Sequence, residues 1–202
     1  VITLIGSIIL LNFLREILHT LWIIYFAKPL NLEPLYGKNS YVIITGGSKG
    51  IGFGFAVEFA KRNFNLVLIS RNQEDLMNAK EKIKSVNPHV SVITRSLDFN
   101  TLGKGGVDHD LWTLLDLDDK LDYSVLINNV GTSFLSPLEE LDEEQVKRGI
   151  TVNCTSQALM SNMMAKKFAQ RTQTSCVVHV SSIANNFPFS YVDLYGATKA
   201  FN

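Results

Sequence analysis

From residue 41 onward, short apolar runs alternate with segments of helical spacing, and few folds admit that alternation. The run Tyr41–Thr45 precedes helical spacing over 51–62. A second run at 66–70 precedes a polar-faced helix at 72–85, and a third at 90–95 precedes a helix at 111–120. A fourth run at 124–128 precedes a long helix at 143–171, and a fifth lies at 176–180. Strands separated by helices pair in parallel through right-handed crossovers. Each run is apolar throughout, as when helices cover both faces of a sheet. The expected class is α/β, a Rossmann-like doubly wound parallel sheet in the order 3-2-1-4-5.

The first strand ends in Thr45-Gly46-Gly47-Ser48-Lys49-Gly50-Ile51-Gly52, and the first helix opens inside that turn. Gly46, Gly50 and Gly52 give a G-x-x-x-G-x-G spacing. Glycine permits a sharp turn and close approach of backbone to a pyrophosphate. The helix start adds free N–H groups and the positive end of the dipole. The turn is therefore expected to bind a dinucleotide through Gly46, Ser48, Lys49, Gly50, Ile51 and Gly52. A site for NAD usually carries an acid at the end of the second strand. Here that strand ends Leu68-Ile69-Ser70-Arg71-Asn72. Arg71 offers a planar fork to a 2′-phosphate, and Lys49 adds a second cation, so NADP(H) is the expected cofactor.

The segment ahead of this domain differs in kind. Residues 1–27 are almost all apolar, interrupted by Asn12, Arg15, Glu16 and His19, and Lys28-Pro29 closes the run. A helix of that length would reach roughly 40 Å, enough for a bilayer core of about 30 Å. Arg15, Glu16 and His19 share one face near the middle, where charge costs several kcal/mol unless paired or facing water. The expectation is a membrane-anchor helix over 1–28, a linker over 29–40, and the dinucleotide-binding domain over 41–202. An interaction helix in a larger assembly and an amphipathic core helix are the alternatives. Lys+Arg and Asp+Glu each number 19, a formal net charge of zero. No basic excess is available for phosphate backbones, so nucleic acid is not an expected partner. Cys154 and Cys176 are the two cysteines and read as reduced thiols in a cytosol-facing domain.

Three motifs together carry a family resemblance: Thr45–Gly52, then Asn128-Asn129-Val130-Gly131, then Tyr195-Gly196-Ala197-Thr198-Lys199. In type, order and spacing they resemble the short-chain dehydrogenase/reductase family from about residue 41 to the end. Leu66–Arg71, Leu126–Gly131 with valine at Val130, the stretch 195–201 and the apolar N-terminus look like its membrane-bound very-long-chain 3-oxoacyl-CoA reductases and related 17-beta-hydroxysteroid dehydrogenases. The resemblance implies that Asp98 contacts adenine and that Asn128 and Asn129 brace the sheet and border the cofactor. It implies Tyr195 as general acid, Lys199 as its electrostatic partner and ribose ligand, Ser182 as the serine that orients a carbonyl (with Ser181 the alternative), and Asn153 as holder of a relay water. Tyr195 and Lys199 are four apart and share one helix face. An ammonium beside a phenol favours the phenolate and brings an otherwise weak acid toward the working range.

The implied function is reduction of a lipid-like ketone, a 3-oxoacyl-CoA or a steroid, by NADPH at a membrane. The endoplasmic reticulum with a cytosol-facing domain is the expected place, a mitochondrial membrane the alternative. A homo-oligomer remains open, and a non-catalytic accessory subunit of a membrane complex is the competing function. The chain starts at Val1 and stops at Asn202 within an expected helix, which predicts a partial chain lacking the family's C-terminal strands. His179 is expected to be a hydrogen-bonded core residue, Cys154 a small packed side chain, and Met160, Met163 and Met164 core packing. His19, His89 and His109 have no metal-like spacing. No chemistry is assigned to the flexible loop expected at 103–106.

Overall fold

The structure, a computed structural model, describes residues 1–28, 30–102, 111–187 and 189–202. The loop expected at 103–106, His109 and Pro29 lie outside the described residues. The chain divides into two compact units, Val1–Asn31 and Leu32–Asn202.

The first unit is one helix, α1 (Ile2–Tyr25), of 24 residues. It buries none of them and is long and apolar enough to cross a membrane. Its two full charges are not isolated: Arg15 Nη2 lies 2.8 Å from Glu16 Oε1.

The second unit begins inside the segment expected to be linker. Glu33–Tyr36 forms a helical turn, α2, with proline in its first turn. Leu32 and Tyr36 pack on the core, and Arg171 donates to the Tyr36 carbonyl at 2.6 Å while forking onto Asp122. The sheet follows: β1 (Tyr41–Thr45), β2 (Asn65–Ser70), β3 (Val92–Ser96), β4 (Tyr123–Asn128) and β5 (Cys176–His179). All pairings are parallel, and the order is β3-β2-β1-β4-β5. The fold class and strand order expected from the sequence are both present.

Helices α3 (Gly50–Lys61) and α4 (Gln73–Val86) cover one face of the sheet, and α5 (Leu111–Leu114) and α7 (Ser156–Phe168) the other. The alternation of side chains along a strand produces this two-sided core. Val42 and Ile44 join Ala56, Ala60 and Leu76 on the first face. Ile43 turns to the other, with Leu126, Met160, Met163 and Met164. The three methionines are core, as expected.

Two expected helices are revised. The segment 111–120 is helical only over α5, because Asp116 adopts φ +46° and Arg95 takes the Leu115 and Asp116 carbonyls, each at 2.6 Å. The continuous helix expected over 143–171 is two helices, α6 (Glu143–Ile150) and α7, joined by a π-helical turn at Thr151–Thr155. Ser156 Oγ donates to the Val152 carbonyl at 2.6 Å, a side-chain bond that competes with the helical ladder. Asn153, inside the turn, is buried. The last helix is α8 (Asp193–Ala200). His179 lies 2.8 Å from Gln157 Oε1 through Nδ1 but is exposed rather than core.

Candidate functional site

The C-terminal ends of the parallel strands open into a cleft of about 440 Å³. Ligands of such sheets bind where the strand order reverses, here between β1 and β4. Gly46, Ser48 and Lys49 line the cleft beyond β1, Ser70, Arg71, Asn72 and Asp75 beyond β2, and Asp98 beyond β3. Asn129, Gly131 and Thr132 line it beyond β4.

The glycine turn is built by exclusion. Gly46 has φ +65° and Gly50 φ +57°, conformations that side chains rarely adopt. A Cβ on Gly52 would collide with the Gly46 carbonyl and come within 2.6 Å of Asn129 Nδ2. The turn is pinned from outside by Gly46 N–H donating to the Ile69 carbonyl at 2.7 Å. Asn129 donates to the Thr45 and Gly46 carbonyls at 3.0 and 3.3 Å. Thr45 Oγ1 accepts from the Asn129 and Val130 N–H groups at 2.9 and 3.1 Å. The N-cap of α3, Lys49, makes no side-chain capping bond, so the first N–H groups of that helix are left for an anion. A tight turn closed to a Cβ at Gly46 and Gly52 and ending on an uncapped helix start fits the pyrophosphate of a dinucleotide.

The expected cofactor residues divide into two sets. Gly46, Ser48, Lys49, Arg71 and Asp98 meet at one cleft. Ser48 Oγ donates to Ser70 Oγ at 2.9 Å, and Asp98 Oδ1 accepts from Asn100 N–H at 3.0 Å. The Arg71 guanidinium has no hydrogen-bond or ion-pair partner among the described residues. Lys49 is not the free cation that the sequence suggests, since its Nζ sits 2.8 Å from Asp75 Oδ2. Gly50, Ile51 and Gly52 shape the turn and helix start without lining the cleft. Asn128 braces the sheet but does not line the cleft. It is fully buried, with its amide donating to Ser161 Oγ at 2.9 Å on α7, and Asn129 occupies the cleft instead. Adjacent residues leaving a strand point to opposite faces, and the motif alone does not say which faces the cofactor.

At the β4–β5 side, Asn153, Thr198 and Lys199 converge. Asn153 accepts from the Thr132 N–H at 2.7 Å and donates to the Thr132 carbonyl and to Thr198 Oγ1, both at 2.8 Å. Both amide protons are therefore used. Lys199 is 3% exposed and donates to the Val180 carbonyl at 2.6 Å. Its Nζ lies 5.7 Å from the centre of the Tyr195 ring. A Cβ on Gly131 would stand 3.5 Å from both Lys199 Nζ and Asn153 Oδ1, an ordinary contact, so both side chains border the loop after β4 at that glycine. Burial moves the Lys199 ammonium below the usual lysine range, with Cys154 opposing weakly. Burial also raises the Cys154 thiol, and Cys154 Sγ contacts the Thr198 carbonyl at 3.8 Å, which makes it a packed and unreactive side chain.

The two serines separate by their bonds. Ser181 Oγ donates to the Lys199 carbonyl at 2.7 Å and so ties down the end of α8. Ser182 Oγ accepts from the Ala184 N–H at 3.3 Å, and its own proton has no acceptor among the described residues. Tyr195 Oη likewise makes no hydrogen bond among them. Sequence reasoning missed Thr45, Asp75, Thr132 and Thr198, whose roles arise from contacts across the fold. It also missed Arg148, which lines the cleft with its guanidinium 5.9 Å from the Phe134 ring centre.

A family profile described as short chain dehydrogenase matches residues 40–202. The very-long-chain 3-oxoacyl-CoA reductase of Coccidioides immitis is 30% identical over 198 residues, 97% of this chain and 55% of that protein. The protein of the same name from Neurospora crassa is 30% identical over 199 residues, 98% of this chain and 58% of that one. The chain thus spans little more than half the length of these curated relatives. Among solved structures, a short-chain dehydrogenase from Sphingobium yanoikuyae in complex with NADPH is similar with a TM-score of 0.70 and 29% identity, covering 80% of this chain and 61% of that chain. The bulky-bulky ketone specific alcohol dehydrogenase from Comamonas testosteroni gives 0.69 and 26%, covering 80% and 62%.

Proposed function

Because the chain belongs to the short-chain dehydrogenase family, we propose that it serves an NADPH-dependent oxidoreductase that reduces a ketone to a hydroxyl. The observation that carries this reading is the joint placement of Asn153, Thr198 and Lys199 beside Tyr195 at the open end of the sheet. Tyr195 Oη gives its proton to the carbonyl oxygen as that oxygen gains negative charge, and Ser182 Oγ donates a hydrogen bond that orients the carbonyl. Lys199 holds positive charge beside Tyr195 and keeps two further N–H donors for a ribose. Asn153 positions Lys199 through Thr198, leaving an Oδ1 lone pair to hold a relay water. When bound, NADPH supplies the hydride.

Gly46, Ser48, the α3 N-terminus and Asp98 would hold the pyrophosphate and adenosine. Arg71 would hold the 2′-phosphate, and its guanidinium, unpartnered among the described residues, supports NADPH over NADH. Similarity to very-long-chain 3-oxoacyl-CoA reductases favours a 3-oxoacyl-CoA substrate, with a steroid ketone as the related class. The apolar α1 supports anchoring to a membrane, taken here as the endoplasmic reticulum with the domain over 41–202 facing the cytosol.

The test is NADPH consumption with 3-oxoacyl-CoA thioesters of graded chain length, with the 3-hydroxyacyl product followed by mass. Product that increases with chain length is expected. Consumption without a hydroxyacyl product contradicts the reading.

A further inference from the structure

Position in the sequence counts Lys49 toward the 2′-phosphate, but its geometry counts it toward an ion pair. Lys49 Nζ lies 2.8 Å from Asp75 Oδ2. The lysine side chain is 73% exposed and that of Asp75 25%, so the carboxylate is the anchored partner. Asp75 sits in the first turn of α4, where its own N–H donates to Asn72 Oδ1 at 3.0 Å. Both partners line the same cleft as Arg71. A carboxylate fixed there acts on an incoming phosphate in two ways. It holds the flexible lysine on the α4 side, and it presents its own negative charge to a group carrying nearly two.

We infer that Asp75 is a positioning residue that sets dinucleotide specificity. By holding Lys49 it withholds the second cation from the 2′-phosphate and leaves Arg71 to carry recognition of that group. The chain therefore discriminates NADPH from NADH less than its two local cations would permit. This rests on reading the cleft as the site of a 2′-phosphorylated dinucleotide. An exposed ion pair is weak, so the effect on specificity is several-fold rather than orders of magnitude.

The experiment measures binding of 2′,5′-ADP and of 5′-AMP to the purified chain in detergent by calorimetry, at low ionic strength, and takes the ratio of the two affinities. Asp75→Asn keeps the backbone N–H that Asn72 caps, and folding is checked by circular dichroism. The substitution is expected to raise the ratio about 2- to 5-fold. The gain should shrink in 0.5 M KCl, where exposed charges are screened. In a Lys49→Ala background the same substitution should change the ratio clearly less. A ratio unmoved by Asp75→Asn overturns the role of Asp75, and a ratio moved equally with and without Lys49 overturns the inferred action through Lys49. Failure of the underlying reading has a separate signature, in which Arg71→Ala leaves the ratio at its starting value.

Discussion

The side-chain amide of Asn153 donates to Thr198 Oγ1 at 2.8 Å, one residue before Lys199. The same amide closes a pair of bonds with the Thr132 backbone. A single side chain in the π-helical turn thereby joins the loop after β4 to the helix that carries Tyr195 and Lys199. Thr198 Oγ1 in turn donates to the Tyr195 carbonyl at 2.8 Å, so the link also reaches the backbone of the tyrosine.

Removing that link is expected to cost both stability and turnover. Asn153→Ala leaves the half-buried Thr132 N–H and carbonyl without that partner and removes the donor to Thr198 Oγ1, which keeps its bond to the Tyr195 carbonyl, a loss of about 1–3 kcal/mol. Denaturant unfolding measures it, and a loss under about 0.5 kcal/mol contradicts the assignment.

Two glycines of α3 should answer oppositely to alanine. At Gly52 a Cβ meets the Gly46 carbonyl and Asn129, both parts of the pinned turn. Gly52→Ala is expected to destabilise by about 1–3 kcal/mol and to abolish dinucleotide binding. At Gly54 a Cβ meets nothing within 4 Å, so Gly54→Ala should stabilise the helix by about 0.5–1 kcal/mol. Thermal melts of the two variants check the contrast.

Arg71→Ala should weaken NADPH at least about 10-fold while changing NADH much less, because the lost interaction is a charge-assisted fork onto a phosphate. Fluorescence titration of each cofactor measures it. Equal losses would remove the 2′-phosphate role.

Lys199 gives a pH dependence with a defined sign. Its folded pKa lies below 10.5 because burial disfavours the ammonium. Between the folded pKa and 10.5 the unfolded chain holds more protons than the folded one, so stability rises with pH through that window and is lower below it. The alkaline limb of the rate profile should accordingly fall before pH 10.5. Lys199→Arg, charged throughout, should flatten the stability slope.

The sheet was legible because each strand is an apolar run that helices cover on both faces, and the two sets of core side chains follow from simple alternation. The break at Thr151–Thr155 was not legible. Apolar spacing continues across it, while the bonds it allows Asn153 to make, to Thr132 and Thr198, reach residues 21 and 45 positions away. The same holds for Lys49. Its place in the glycine turn was plain, but its partner Asp75 belongs to the next helix and is reached only through space. Asn128 and Asn129 stood side by side in one motif, and only the emergence of the chain from β4 assigned the first to α7 and the second to the cleft.

The account turns on Tyr195 as the proton donor, and turnover in Tyr195→Phe tests it most directly. NADPH oxidation with a very-long-chain 3-oxoacyl-CoA is followed beside direct NADPH binding. The account predicts turnover reduced at least about 100-fold, while NADPH binding, carried chiefly by the glycine turn and Arg71, is retained. Turnover that survives the substitution unchanged would contradict it.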